Sequence, residues 1–272
     1  MAIRTGIGGW IYEEWRGGAF YPAGLRQADE LHYASRAVGA IEINATFYRL
    51  QKPESFRKWR DAAPEGFIFA LKGSRFVSNR RNLAEAGEGV RHFVEQGIVE
   101  LGDMLGPIVW QLAKTKRFDP DEIAGFLALL PARHEGVALR HAIEIGHESF
   151  ACAEFVELMR KAGVAIVWSE EEGRAAIADR TAPFAYCRLQ GMRSSCKTGY
   201  PPAELDRLAG LCRAWATGEA PEGLPYAGER NDSVGKVGPG KSRDVFAFLI
   251  NGAKERAPAA AIALAQRIGE AA

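Results

Sequence analysis

The 272-residue sequence is poor in the residues that build disulfide frameworks and metal clusters. Its four cysteines, Cys152, Cys187, Cys196 and Cys212, form no CxxC pair and no zinc-type spacing. They read as reduced thiols, the form kept in a cytosolic protein. Histidine is also scarce, at five residues. His32, His92 and His134 fall on predicted helices or loops, which leaves His147, and less readily His141, to reach a site. That argues against a two- or three-metal cluster and leaves room for one Mg²⁺ or Mn²⁺ held by carboxylates. No apolar run approaches the ~18 residues of a membrane span. The opening MAIRTGIGGW enters a strand pattern with no signal peptide, so the expectation is a cytoplasmic protein with no membrane partner. Charge of one sign is missing as well: the formal net charge is +1. Binding to nucleic acid would therefore need a local basic patch rather than a general attraction.

What is present is ordinary for a soluble globular chain, with 47% apolar and 25% charged residues. Short apolar runs at Ile3–Gly8, Ala40–Asn44, Phe67–Lys72, Gly106–Leu112, Ala142–His147, Val164–Ser169, Phe184–Leu189 and Val245–Asn251 read as strands. Amphipathic segments lie between them, at Glu30–Val38, Pro53–Ala62, Val90–Ile98, Pro120–Leu130, Ser149–Ala162 and Pro202–Thr217, and Pro258–Ile268 closes the series. Eight strands interleaved with helices predict an α/β fold, a (β/α)8 TIM-type barrel forming a single domain over residues 1–272. An open doubly wound sheet is the alternative. No repeat or low-complexity linker divides the chain. Glu219–Ser242, rich in Gly, Pro and charge, reads as a long exposed loop.

One stretch in that loop imitates a nucleotide site. Residues 235–242, GKVGPGKS, satisfy the phosphate-loop spelling. Such a loop must leave a buried strand and enter a helix, so that backbone amides converge on phosphate. Here a polar segment precedes it and a strand pattern follows, so a flexible glycine-rich connection is the better reading and no nucleotide cofactor is expected.

In a barrel the working face is the C-terminal rim of the strands. The segment AIEINATFYRL, Ala40–Leu50, places Glu42 and Asn44 on one face of a strand and Ile41 and Ile43 on the other. A carboxylate in a strand apolar on both sides costs several kcal/mol unless paired or hydrogen-bonded. Pairing with Arg or Lys and no chemistry at all is the bland alternative. The other predicted rims carry Trp10 and Tyr12, Phe47 and Tyr48, Lys72, Gln111, Glu144 and His147, Ser169 and Glu170, Arg188 and Gln190, and Asn251. Polar groups gathered at one end of otherwise apolar strands point to a site collectively.

The chain resembles the YecE-like family, also catalogued as a domain of unknown function. The residues that carry the resemblance are GIGGWIYEEW with FYP at Phe20–Pro22, EINATFYRL, PESFRKW, the segment ending at Lys72, LGPIVWQL, EIGHESF, YCRLQG and FLINGAKERAPAAA. The resemblance implies a TIM-type barrel distantly similar to sugar-isomerase and apurinic-endonuclease barrels, and implies no reaction. Two positions depart from the family pattern. Gly146 stands where the family has Arg after the fifth-strand Glu, and Ser169 and Glu170 stand where an Asp usually ends the sixth strand. The lost guanidinium removes an ion-pair partner from Glu144, with Arg140 as a substitute to consider.

The functional expectation is an enzyme of isomerase or hydrolase type, acting on a small carbohydrate-like or phosphorylated substrate. Glu42, Glu144 and His147 are the proposed catalytic groups. Trp10, Tyr12, Asn44, Phe47, Tyr48, Lys72, Gln111, Arg188, Gln190 and Asn251 are the proposed binding groups for a polar or anionic ligand. The alternatives are an apurinic-endonuclease-like enzyme and a non-catalytic ligand-binding barrel.

Overall fold

The computed structural model describes residues 3–228 and 243–269. Eight parallel strands close into a barrel: β1 (Ile3–Gly8), β2 (Ala40–Ile43), β3 (Ile68–Lys72), β4 (Leu105–Gln111), β5 (His141–Glu144), β6 (Ala165–Ser169), β7 (Phe184–Leu189) and β8 (Asp244–Leu249). Each pairs with the next in chain order, and β8 returns to β1 with Ile3 opposite Val245. Seven helices pack outside: α1 (Glu30–Ala37), α2 (Pro53–Ala62), α3 (Gly87–Glu95), α4 (Pro120–Leu129), α5 (Ala153–Ala162), α6 (Pro202–Thr217) and α7 (Ala257–Ile268). None of them lies between β6 and β7. Short helices at Ala45–Tyr48 and Arg75–Ser78 follow β2 and β3.

Alternation along each strand makes two cores. On β2, Ile41 and Ile43 face the helices, while Ala40 joins the barrel interior with Ala70, Ala142, Ala165, Tyr186, Phe246 and Phe248. The large interior rings come from β7 and β8, and the small residues of β1, β2, β3, β5 and β6 leave room for them. Gly6 shows how tight this is. A Cβ there would stand 2.3 Å from the Ala40 carbonyl oxygen and 2.9 Å from the Phe248 ring.

Three details differ from the sequence reading. β5 ends at Glu144, because its last ladder bond is from Leu112 N–H to the Glu144 carbonyl and the chain then turns away. β8 stops at Leu249, and Asn251 takes a left-handed conformation (φ 57°), which Asn tolerates better than most residues. A small ribbon, Arg133–His134 with Val137–Ala138, was not anticipated. Glu135 and Gly136, both at positive φ, form its two-residue turn.

The predicted loop Glu219–Ser242 is described only to residue 228, where Asp179 accepts from the Ala227 and Gly228 amides. Residues 235–242, the imitation phosphate loop, lie outside the described residues. Among the described residues, no helix is long and apolar enough to cross a membrane.

Candidate functional site

The barrel closes at its C-terminal end over a buried ion triad. Glu42, Glu144 and Arg188 all point inward from strand ends and are almost wholly inaccessible. Arg188 Nη2 donates to Glu42 Oε1 at 3.1 Å, and Nη1 donates to Glu144 Oε2 at 2.5 Å. Tyr186, two residues earlier on the same face of β7, donates its hydroxyl to Glu42 Oε2 at 2.6 Å. Gln111 donates to Glu144 Oε2 at 2.6 Å from the neighbouring strand, where Gln111 pairs in register with Glu144. Both oxygens of Glu42 are therefore satisfied. Glu144 has one doubly used oxygen, and its Oε1 accepts no hydrogen bond. Burial alone would lower the Arg188 pKa, but the two carboxylates overcome it and hold the guanidinium charged. Burial first, and then the Glu42 charge, push the Tyr186 hydroxyl well above its ordinary value.

A cavity of about 330 Å³ opens above this layer. Its lining includes Tyr12, Asn44, Tyr48, Lys72, Arg188, Asn251 and Lys254. The charged groups in that lining are all cations, and the two acids lie beneath Arg188 rather than on the cavity wall. Lys72 ends β3, its carbonyl held by the Thr46 hydroxyl at 2.7 Å. Its ammonium lies 4.2 Å from the Phe47 ring centroid. Lys254, on the loop after β8, sits 4.7 Å from the Tyr12 ring centroid, while the Tyr12 hydroxyl donates to the Gly8 carbonyl at 2.6 Å. Among the described residues neither ammonium makes a hydrogen bond or an ion pair. Burial, and secondarily Arg188, lower the Lys72 pKa from its ordinary value.

Around β4 to β6 the rim is closed by paired charges. Arg174, on the connection from β6 to β7, donates to Glu171 at 2.7 Å and to the Ile145 carbonyl at 2.8 Å, with its Nε 4.0 Å from Glu144 Oε1. Lys114 pairs with the other Glu171 oxygen at 2.7 Å. A Cβ on Gly146 would stand 2.7 Å from Lys114 Cα and 2.9 Å from Arg174 Nη1. Glu144 thus keeps a guanidinium partner in Arg188, with Arg174 as a second, more distant one. Arg140 is not the substitute: it pairs with Asp244, at the start of β8. Further round the rim, Asn251 donates to Gln190 at 2.5 Å and Gln190 donates to Ser169 at 2.8 Å. Glu170 accepts from Tyr200 at 2.7 Å.

The expected residues therefore divide. Tyr12, Asn44, Tyr48, Lys72, Arg188 and Asn251 meet at the cavity, with Phe47 behind Lys72. Glu42, Glu144 and Gln111 support it from below, and Gln190 braces Asn251. Trp10 is elsewhere: it packs edge-on against Trp59 and lines a separate cleft with Leu31 and Lys58. His147 also stands apart from the acid pair. Its Nδ1 accepts from the Ser149 amide at 3.1 Å, and its Nε2 is 3.3 Å from Arg117. His141 is buried between Trp110 and the Pro131 carbonyl, and burial lowers its pKa. Tyr186, Arg174 and Lys254 are the additions. Tyr186 shares a strand face with Arg188, a period-two signal visible in the sequence. Arg174 and Lys254 lie on loops and carry no such signal. No group of three or more His, Cys, Asp or Glu placed to hold a metal occurs among the described residues.

A family model described as DUF72, protein of unknown function, matches residues 4–272. The UPF0759 protein YecE of Escherichia coli K12 is 29% identical over 143 residues, 51% of this chain and 48% of that protein. The chain spans about half the length of the curated relatives it matches. A DUF72 family protein from Thermotoga maritima superposes with a TM-score of 0.73 at 18% identity, covering 99% of this chain and 100% of the other. Another, from Enterococcus faecalis, gives 0.71 at 15% identity, covering 100% and 97%.

Proposed function

The chain belongs to the DUF72 family, and from that premise we propose that its barrel mouth is the site of an enzyme acting on a small polar molecule that carries a phosphate or carboxylate. One observation carries this reading: the cavity presents Lys72, Arg188 and Lys254 and no acid, while the counter-charges of Arg188 are sealed beneath it. An anion entering there meets fixed positive charge in a partly desolvated space, where such contacts are strongest. Tyr12 and Tyr48 offer ring faces and Asn44 and Asn251 offer amides, the groups that orient a carbohydrate-like body. Reactions of isomerase or hydrolase type suit this set. Glu144, whose Oε1 accepts no hydrogen bond, is the acid best fitted to handle a proton, and Glu42, with both oxygens hydrogen-bonded, holds Arg188 in place. Calorimetric titration with inorganic phosphate and a panel of sugar phosphates tests the binding. Metabolite screening with the Glu144→Gln variant tests the chemistry, and unchanged turnover in that variant ends the role given to Glu144.

An exposed cluster beside the mouth favours a second reading, an enzyme that acts on nucleic acid. The Arg75 guanidinium lies 5.9 Å from the Tyr48 ring and 5.4 Å from Phe76, both rings being more than half exposed. Aromatic faces beside arginine suit stacked, unpaired bases. Titration with single-stranded and abasic duplex DNA at low salt, with divalent metal present, decides it. Neither binding nor cleavage would remove this reading.

A further inference from the structure

Lys72 and Lys254 share one cavity but not one environment. Lys254 is carried on a loop. Lys72 is built into the barrel wall: Thr46 holds its carbonyl, and the next residue is locked by the bond from Gly73 N–H to the Val109 carbonyl at 2.8 Å. Gly73 has no room to shift, since a Cβ there would stand 2.2 Å from the Trp110 ring. The amine that this wall presents is half-buried against Phe47, in a cavity that Arg188 also lines. The two carboxylates near enough to influence it are already claimed by Arg188. Desolvation and the charge of Arg188 work against the ammonium form here and outweigh the opposing pull of Glu42 and Glu144. The same two features are what turn a lysine into a free amine able to attack a carbonyl. The lowered pKa of Lys72 agrees, its causes being burial first and Arg188 second.

We propose that Lys72 is a nucleophile that condenses with the carbonyl group of an anionic aldehyde, ketone or open-chain sugar held in the barrel mouth. The inference rests on the anionic-ligand reading above and names the substrate class for it. In the step, the Nζ lone pair bonds to the carbonyl carbon, and the carbonyl π pair moves to oxygen, which takes up a proton. The resulting carbinolamine expels that oxygen as water after a second proton reaches it, and nitrogen and carbon form a double bond. The two nitrogen protons of the neutral amine balance the water released, so amine and carbonyl give imine and water with no change of oxidation state. Arg188 and Lys254 remain to hold the anionic group. Protonated, the imine draws electrons from the adjoining carbon, the activation needed for an isomerising proton transfer.

Borohydride trapping tests this. The protein is incubated with pyridoxal 5′-phosphate, an aldehyde bearing a phosphate, reduced with borohydride, digested and mapped by mass spectrometry. In parallel, dihydroxyacetone phosphate is used as a ketone probe, and inorganic phosphate binding is measured by calorimetry. The expected result is a reduced adduct on Lys72 about tenfold above that on any other lysine, suppressed by inorganic phosphate and lost from that position in Lys72→Arg. Labelling spread evenly over the lysines, or confined to Lys254, overturns the proposal. An absence of adduct while phosphate still binds overturns it too and leaves the anion-binding reading standing. An absence of both adduct and phosphate binding overturns the two together.

Discussion

The two halves of the barrel mouth treat charge in opposite ways. Over β4, β5 and β6 the ionic groups satisfy one another: Lys114 and Arg174 share Glu171, Arg174 leans toward Glu144, and Arg207 meets Glu170 at 3.2 Å. Over β8, β1, β2 and β3 the ammonium groups of Lys72 and Lys254 face rings and open space. Lys72 ends β3 and Lys114 follows the end of the adjoining β4, yet of the two only Lys114 pairs with an acid. The difference lies in where the positive charge is neutralised. Where the rim is closed it is paired within the protein, and where the cavity opens the ammonium groups line it without an acid beside them. Arg188 stands on the boundary, bound to both acids and, though almost wholly buried, part of the cavity lining.

Breaking that boundary has the largest expected effect. Arg188→Met leaves Glu42 and Glu144 buried without their guanidinium and is expected to cost about 3–5 kcal/mol, or folding itself. Urea unfolding measures it. A loss under about 1 kcal/mol would mean that the carboxylates find water or protons easily, and the boundary would lose its meaning. On the closed side, Gly146→Ala drives a methyl group toward the Lys114 backbone and the Arg174 guanidinium. A cost of about 1–3 kcal/mol is expected in the same measurement. An unchanged midpoint would show that Arg174 swings away freely and that the closed half is looser than its contacts suggest.

How much of this was legible in the sequence depends on which element carries the residue. Strand residues were readable, because period-two alternation fixes which side chains share a face. Glu42 could be assigned to the barrel interior from Ile41 and Ile43 alone, and the eight strand positions followed from short apolar runs between turns. Residues past the strand ends were readable only in part: Tyr12, Tyr48 and Asn251 do reach the cavity. Trp10 and His147 follow strands closely in sequence, but the chain has already turned by then, so Trp10 packs on Trp59 and His147 caps a helical turn. Arg174 was invisible for the converse reason. It reaches Glu144 across the one strand connection that has no helix, and nothing in EEGRAA announces that path. The supporting role of the acids was also hidden, since partner identity at a barrel's centre depends on register between distant strands, as in Tyr186 with Glu42.

The comparison sharpens when one lysine is changed on each side. Lys254→Met removes a cation that has no hydrogen-bonded or ionic partner among the described residues, only the Tyr12 ring, so stability should move by about 0.5 kcal/mol. Affinity for inorganic phosphate should fall about tenfold or more, the scale of one charged hydrogen bond. Lys114→Met, on the closed side, should leave phosphate affinity unchanged, because Glu171 already occupies that ammonium. Calorimetry on the two variants decides it, and equal losses would erase the distinction between the halves.

The smallest effect separates Lys72 from its neighbours by pH. Its ammonium is disfavoured by burial and by Arg188, opposed in part by Glu42 and Glu144, with Arg174 adding to the repulsion. Its folded pKa lies below that of the unfolded chain, near 10.4. Between the two values the unfolded state binds more protons, so the native state gains stability as pH rises through that window. Below it, the full cost of holding the ammonium is present. Lys72→Met should therefore stabilise the protein at neutral pH by on the order of 0.5 kcal/mol. The advantage should shrink toward zero as the medium becomes alkaline, read from unfolding midpoints at several pH values. Lys114→Met should show the reverse sign at neutral pH, since it breaks an ion pair. If Lys72→Met instead destabilised the protein at neutral pH and the loss faded in alkali, its ammonium would be serving the fold, and the open half of the mouth would be no different in kind from the closed one.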